Sequence, residues 1–261
     1  MTAVFDLIAG SSPFVVSIPH DGRLLAPGQA DRMTDAGRDI PDTDWHVRRL
    51  YEFVAEFDAS VIAANYSRYV VDLNRSADDA ALYPGRVSTG LCPAKTFAGD
   101  AIYANDKGVG EEEKTKRVAQ YWRPYHDRLQ MLLRQRRDEH GFAVLWDAHS
   151  ISGEVPALFT GVLPDLNIGT NGGASCSDRV QAAVESAARA TAFSAVLNGR
   201  FKGGHITRCY GDPGAGIHAI QLEISQRTYM NEITRNFDEN AANRLRQVVS
   251  SMIAAALDTA G

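Results

Sequence analysis

Phe142-Ala143-Val144-Leu145-Trp146-Asp147-Ala148-His149 is a near-continuous apolar run that closes on an imidazole. A run of this length, without apolar/polar alternation, fits a strand buried on both faces of an α/β sheet. Two other stretches are built the same way. Phe14-Val15-Val16-Ser17-Ile18-Pro19 closes on His20, and His218-Ala219-Ile220-Gln221-Leu222 closes on Glu223. Open α/β sheets take their ligands at the carboxyl ends of the strands. Two imidazoles and a carboxylate delivered to that edge are the parts of a metal-hydrolase site.

Working outward, residues 21–43 are rich in Gly, Pro and Asp and predict a long loop with at most a short helix. A helix is expected from Asp42 or Asp44, with Val47, Leu50, Tyr51 and Val54 at helical spacing. Ser60 to Ala64 and Tyr69 to Leu73 read as strands, and residues 76–110 as an irregular segment able to form a flap. Glu111 to His140 reads as a long helix with an acidic start and a basic end, kinked or divided at Pro124 and stopped by Gly141. Ala157 to Leu163 and Ser194 to Leu197 are further strand candidates. Ser177 to Ala190 and Asp238 to Leu257 are helices, the first capped by Ser177 or Asp178. Gly203 to Gly211 is read as a Gly-punctuated loop. Strands and helices alternate, so the class is α/β.

The bulk properties narrow the function. With 261 residues, 44% hydrophobic and 23% charged, the chain has an ordinary globular composition and is long enough for one substantial core. A net charge of −5 and the lack of a basic stripe argue against nucleic acid as a partner. No apolar stretch reaches the roughly 18 residues of a membrane span, and Met1 to Gly10 reads as no secretory signal. Three cysteines, Cys92, Cys176 and Cys209, with no CxxC, suit a reducing cytoplasm better than a disulfide framework.

The candidate chemistry starts from His20 and His149. A catalytic zinc takes three protein ligands and leaves a position open. Asp42, Asp44 and Asp21 are candidates for the third, and no HExxH or Cys/His cluster is present. The plainer alternative is that each histidine is a hydrogen-bonded structural residue. Glu223 suits a base beside a metal, or a strand-end glutamate paired with an arginine. Asn74-Arg75 after a strand suits a carboxylate clamp, because Arg binds carboxylates bidentately; a salt bridge from Arg75 to Asp72 or Asp78 is the alternative. His46, His126 and His140 read as solvated helix positions. His205 carries no firm role, His218 is assigned nothing, and Cys209 lacks the partner of a nucleophile.

These residues lie in ordered blocks: Ser17-Ile18-Pro19-His20-Asp21-Gly22, Asp42-Thr43-Asp44, Ser67-Arg68-Tyr69-Val70-Val71-Asp72-Leu73-Asn74-Arg75, Trp146-Asp147-Ala148-His149-Ser150, Gly203-Gly204-His205-Ile206-Thr207-Arg208-Cys209-Tyr210-Gly211 and Gln221-Leu222-Glu223-Ile224-Ser225. In this order they resemble the N-formylglutamate amidohydrolase family, from about residue 4 to the C-terminal helix. The closest likeness is to the N-formylglutamate deformylases of histidine breakdown.

The resemblance implies a single amidohydrolase domain over residues 1–261. Its fold would be a mixed sheet flanked by helices, like that of the zinc carboxypeptidases (phosphorylase/hydrolase-like). It implies one divalent metal, zinc, held by His20, His149 and an acid of the 42–44 block, taken as Asp44 with Asp42 as the fallback. Zinc carboxypeptidases carry a glutamate three residues after the first histidine; here that position is Arg23, which cannot ligate zinc. Glu223 would be the general base. Asn74 and Arg75 would hold the substrate α-carboxylate, as a similar Asn-Arg pair does in the carboxypeptidases. The second carboxylate of a glutamyl substrate calls for another cation, taken as Arg208 with Arg68 as the alternative; Thr207 and Tyr210 would donate hydrogen bonds. Arg68 would also help to stabilise the oxyanion. The implied substrate is N-formyl-L-glutamate. An N-acetyl or N-carbamoyl amino acid, or non-catalytic binding of acidic amino acids, are the competing readings.

Overall fold

The computed structural model of the protein describes residues 2–80, 89–104 and 108–261. Among the described residues, seven strands form one sheet: β1 (Phe5–Ile8), β2 (Phe14–Ile18), β3 (Ser60–Ala64), β4 (Ala143–Ile151), β5 (Leu166–Gly169), β6 (Ala195–Leu197) and β7 (Ile217–Ser225). Their order is β1-β3-β2-β4-β7-β5-β6. The four central strands β3, β2, β4 and β7 are parallel. β1 runs antiparallel on one side; β5 is antiparallel to β7 and parallel to β6 on the other. The expected α/β class with a mixed sheet flanked by helices is what the chain adopts.

The apolar runs form strands because both faces of the sheet are covered. Phe14, Val16, Val144, Trp146, Ile220 and Leu222 face a core built with α2 (Val47–Leu50), α5 (Asp178–Arg189) and α7 (Glu239–Ala260). Val15, Leu145 and Ala219 face the other way, onto Tyr125, Leu129 and Leu133 of α4 (Arg123–His140) and Ile206 of α6 (His205–Tyr210). Each fully buried Val, Leu, Ile or Phe among them contributes about 1.5–3 kcal/mol. β4 and β7 run two residues past His149 and Glu223, which are not the strands' last residues. Asp147 pairs in register with Gln221, and His149 with Glu223. By alternation these four polar side chains fall on the α4–α6 side, at the carboxyl end of the central strands.

Glu111 to His140 is continuous helix: α3 (Glu111–Arg117), a π turn at Val118–Trp122, then α4. Pro124 has no N–H to donate, and the wider π turn just before it takes up the mismatch in place of a break. Gly141 ends α4 at φ 82°. Ser177 caps α5 by accepting from the Val180 N–H. The expected helix after Asp44 is short, with α2 giving way to a 3-10 turn at Tyr51–Phe57.

Two expected strands are not strands. In Tyr69 to Leu73, Arg117 Nη1 donates to the carbonyls of Tyr69 (3.1 Å) and Val70 (2.8 Å), and Gln29 Nε2 to that of Tyr69 (2.8 Å). The segment is buried, but side chains take its Tyr69, Val70 and Leu73 carbonyls. Ala157 to Leu163 is a turn over a satellite apolar cluster of Ile151, Val155 and Leu163. Arg200 Nε and Arg227 Nη2 donate to its carbonyls at Leu158 and Leu163. The Gly203–Gly211 stretch holds the helix α6. Of the expected flap over 76–110, residues 81–88 and 105–107 lie outside the described residues; Leu91, Ile102 and Tyr103 are buried. No described helix is long and apolar enough to cross a membrane.

Candidate active site

A cavity opens at the carboxyl end of the central strands. Its walls include His20, Asp44, Arg68, Asn74, His149 and Glu223. His20 follows β2, and its carbonyl accepts the Asp44 N–H (3.1 Å), which ties the loop before α2 to the strand end. Arg68, Asp72, Asn74 and Arg75 come from the segment after β3. His149 and Ser150 belong to β4, and Gln221 and Glu223 to β7.

His20, Asp44 and His149 are buried, and one donor atom from each lies within 4.8 Å of the others. Asp44 Oδ2 is 3.1 Å from His149 Nδ1 and 3.8 Å from His20 Nδ1. Two donors bound at about 2.0–2.1 Å in tetrahedral geometry stand about 3.3 Å apart, so the set fits a zinc-sized cation. Asp42, the fallback, is engaged elsewhere: its Oδ2 accepts from Tyr69 Oη (2.6 Å) and the Phe97 N–H (2.9 Å). Asp21 faces Arg23 and Arg48.

The far nitrogens of both histidines meet carboxylates. His20 Nε2 lies 2.8 Å from Asp72 Oδ1, and His149 Nε2 lies 3.1 Å from Asp147 Oδ2. A proton on each Nε2 would leave the Nδ1 lone pair of His149 facing Asp44 and that of His20 facing Asp44 and Arg68. Such outer carboxylates orient metal-binding imidazoles and raise their basicity. The lone pair of His20 Nδ1 accepts from the Arg68 guanidinium. Among the described residues, two buried polar atoms around this centre, Arg68 Nε and Asp147 Oδ1, have no hydrogen-bond partner.

The charges are strongly coupled. Burial opposes protonation of His149, but Asp147 and Asp44 outweigh it and hold its pKa well above the ordinary value. His20 is lowered by burial and by Arg68, against Asp72 and Asp44. Burial would raise Asp72, but His20 and Arg68 hold it well below the carboxylate range. Asp44 is likewise lowered despite burial, by its hydrogen bond to His149 and the charges of His20 and Arg68. Glu223 goes the other way: burial pushes its carboxyl up to about 8, with Asp44 and Asp147 adding to the shift and His149 opposing it. A carboxyl poised there can carry a proton either way near neutral pH.

The remaining expected residues divide. Arg75 lines the cavity. Asn74 does too, but its carboxamide is engaged within the protein: Oδ1 accepts the Ile206 N–H (2.8 Å), and Nδ2 lies 2.9 Å from His149 Nε2 and 3.2 Å from Asp147 Oδ2. Thr207, Arg208 and Tyr210 ride on α6 and are not among the lining residues. Thr207 Oγ1 faces Asp147 from behind, Arg208 Nε donates to the Gly203 carbonyl, and Tyr210 Oη meets His126 Nδ1. His126 is no solvated position: it is buried, stacked 3.7 Å from Trp122, with Nε2 on the Leu73 carbonyl. Sequence reading missed Asp147, Gln221, Phe97 and Arg200 as wall or supporting residues. Asp147 stands two positions before His149, which on a strand means the same face; that spacing was the available signal.

Comparison with known proteins shows which proteins the chain is similar to. The family model for N-formylglutamate amidohydrolase matches residues 12–230. The chain is 45% identical to the N-formylglutamate deformylase of Pseudomonas putida, over 98% of this chain and 97% of that one. It is 48% identical to the N-formylglutamate deformylase of Pseudomonas aeruginosa, over 89% and 87%. The crystal structure of N-formylglutamate amidohydrolase from Ralstonia eutropha JMP134 superposes with a TM-score of 0.81 at 25% identity, over 99% of this chain and 98% of that one. A gene product of Agrobacterium tumefaciens shares the fold, with a TM-score of 0.73 at 17% identity over 97% and 96%.

Proposed function

Because the chain belongs to the N-formylglutamate amidohydrolase family, we propose that it hydrolyses N-formyl-L-glutamate to L-glutamate and formate as a zinc-dependent step of histidine breakdown. The observation that carries this reading is the buried His20–Asp44–His149 group with Glu223 paired in register beside His149. His20 Nδ1, His149 Nδ1 and an Asp44 oxygen would hold the zinc. A zinc ion there would supply Lewis acidity and lower the pKa of water to about 7.

The chain's own residues do the rest. Glu223 takes a proton from water as the water oxygen bonds to the formyl carbon. The carbonyl oxygen gains the electron pair, and Arg68, beside the ligand group, stabilises that charge. When the C–N bond breaks, Glu223 returns the proton to the leaving nitrogen. Arg75 binds the α-carboxylate. Asn74 keeps Asp147 and the start of α6 in place behind His149. The buried setting of Glu223 suits this work, since its pKa sits close to the pH at which it must both accept and donate. A bound cation would favour the ionised form needed at the start of the cycle.

Release of formate, acetate and carbamate-derived ammonia from the three N-acyl-L-glutamates, measured side by side, tests the substrate. The N-formyl compound is expected to give the highest kcat/KM, because it is the smallest acyl group for a site walled by His20, His149 and Phe97. Preference for N-acetyl or N-carbamoyl glutamate would move the assignment to another deacylase, and no turnover of any would leave a binder.

A further inference from the structure

We propose that Arg200 reads the side-chain carboxylate of the substrate, so that selection for an acidic amino acid is made from the β6 side of the cavity. This deepens the proposed function and rests on it. A glutamyl substrate carries two carboxylates on either side of Cα. Charge-assisted, bidentate contacts with arginine are the strongest way to recognise each.

Three described arginines line the cavity: Arg68, Arg75 and Arg200. Arg68 is turned onto His20 and Asp44, at the reacting centre. Arg75 leaves the same segment after β3, next to Asn74. Arg200 arrives from the other flank, in the loop after β6, with β2, β4, β7 and β5 lying between β3 and β6 in the sheet. One cavity thus has arginines delivered from two opposite sides. That suits a ligand with two carboxylates better than one with a single acid group.

The surroundings of Arg200 suit this task. Its Nε donates to the Leu158 carbonyl (2.7 Å), and its guanidinium carbon lies 5.5 Å from the Phe201 ring centre. That contact fixes the inner end of the guanidinium against the cavity wall. The wall beside it is apolar: Ile151, Leu158, Phe97 and Phe201 pack in or against the satellite cluster. Such a wall matches the two methylenes that separate Cα from the distal carboxylate. Arg208, the sequence-based choice, lies on α6 outside the wall.

The test compares N-formyl-L-glutamate with its neutral near-isostere N-formyl-L-glutamine, using the metal-loaded full chain. In Arg200→Gln, kcat/KM for N-formyl-L-glutamate is expected to fall about 10- to 100-fold, mostly through KM, while that for N-formyl-L-glutamine falls far less. Arg200→Lys, which keeps the charge, should recover part of the preference. Arg75→Gln should weaken both substrates alike, because both carry the α-carboxylate. An equal fall on both substrates in Arg200→Gln and Arg200→Lys, or an unchanged glutamate preference, overturns the role of Arg200. Loss of the preference in Arg75→Gln alone would reassign it to Arg75. If the wild-type chain hydrolyses no N-formyl-L-glutamate, the proposed function fails, and this inference with it.

Discussion

Replacing Asp147 by Asn keeps the shape behind His149 but removes the charge that raises the basicity of its ring. Zinc affinity, read by competition with a chromophoric chelator, should weaken about 10- to 100-fold; an unchanged affinity would remove Asp147 from the metal centre. Glu223→Gln should instead keep the zinc and lose about 10²- to 10⁴-fold in formate release. Retained turnover would take Glu223 out of the mechanism. The two substitutions separate holding a metal from moving a proton. His20, His149 and Glu223 were legible in the sequence because each interrupts an apolar run, where a charge or imidazole has to be accounted for. Asp72 and Asp147 were not, because a carboxylate near a strand looks the same whether it orients a histidine or pairs with an arginine. Arg208 was misplaced for a related reason: a basic residue after two glycines gives no sign that its segment coils into α6, where Arg208 is not among the residues that line the cavity.

At the scale of elements, the strands that deliver His149 and Glu223, and the strand that leads to His20, were the readable ones. β2, β4 and β7 are buried on both faces, so their sequences are mostly apolar and a polar residue stands out as the exception. Tyr69 to Leu73 has the same composition, but Arg117 and Gln29 take its carbonyls, and nothing local to the segment shows that. β5 was missed because Asn167 and Gly169 break its pattern. Asn167 is there to donate to the Pro164 and Glu223 carbonyls. The entry to α6 offers a test at this scale. A Cβ added at Gly204 would stand 2.3–2.5 Å from the Asn74 carboxamide. Gly204→Ala should therefore displace Asn74 or the start of α6, lowering both the melting temperature and kcat/KM. A variant as stable and active as the wild type would show that this contact does not position the site.

For the whole molecule, the site is a cluster of buried charges whose balance changes with metal and pH. Zinc bound to the native chain at 100 times its dissociation constant should add about 2.7 kcal/mol of stability, seen as a higher melting temperature that a chelator reverses. In the metal-free chain Glu223 gives a second signature. Its pKa is raised on folding, from 4.5 to about 8. Its stabilisation is therefore fully present below about pH 4.5, declines as the pH rises, and is gone above about pH 8, by at most about 1.4 kcal/mol per pH unit. Denaturant midpoints of the metal-free wild type should fall relative to Glu223→Gln across that window and run parallel above it. A constant difference would mean that Glu223 is not buried as described.

If His20, Asp44, His149 and Glu223 form a metal-dependent deformylase site, formate release from N-formyl-L-glutamate must follow the metal. The assay uses chelator-stripped protein titrated with zinc. Without metal no release is expected, and about one zinc per chain should restore it fully. Full release by protein shown to contain no metal would contradict a metal-dependent site.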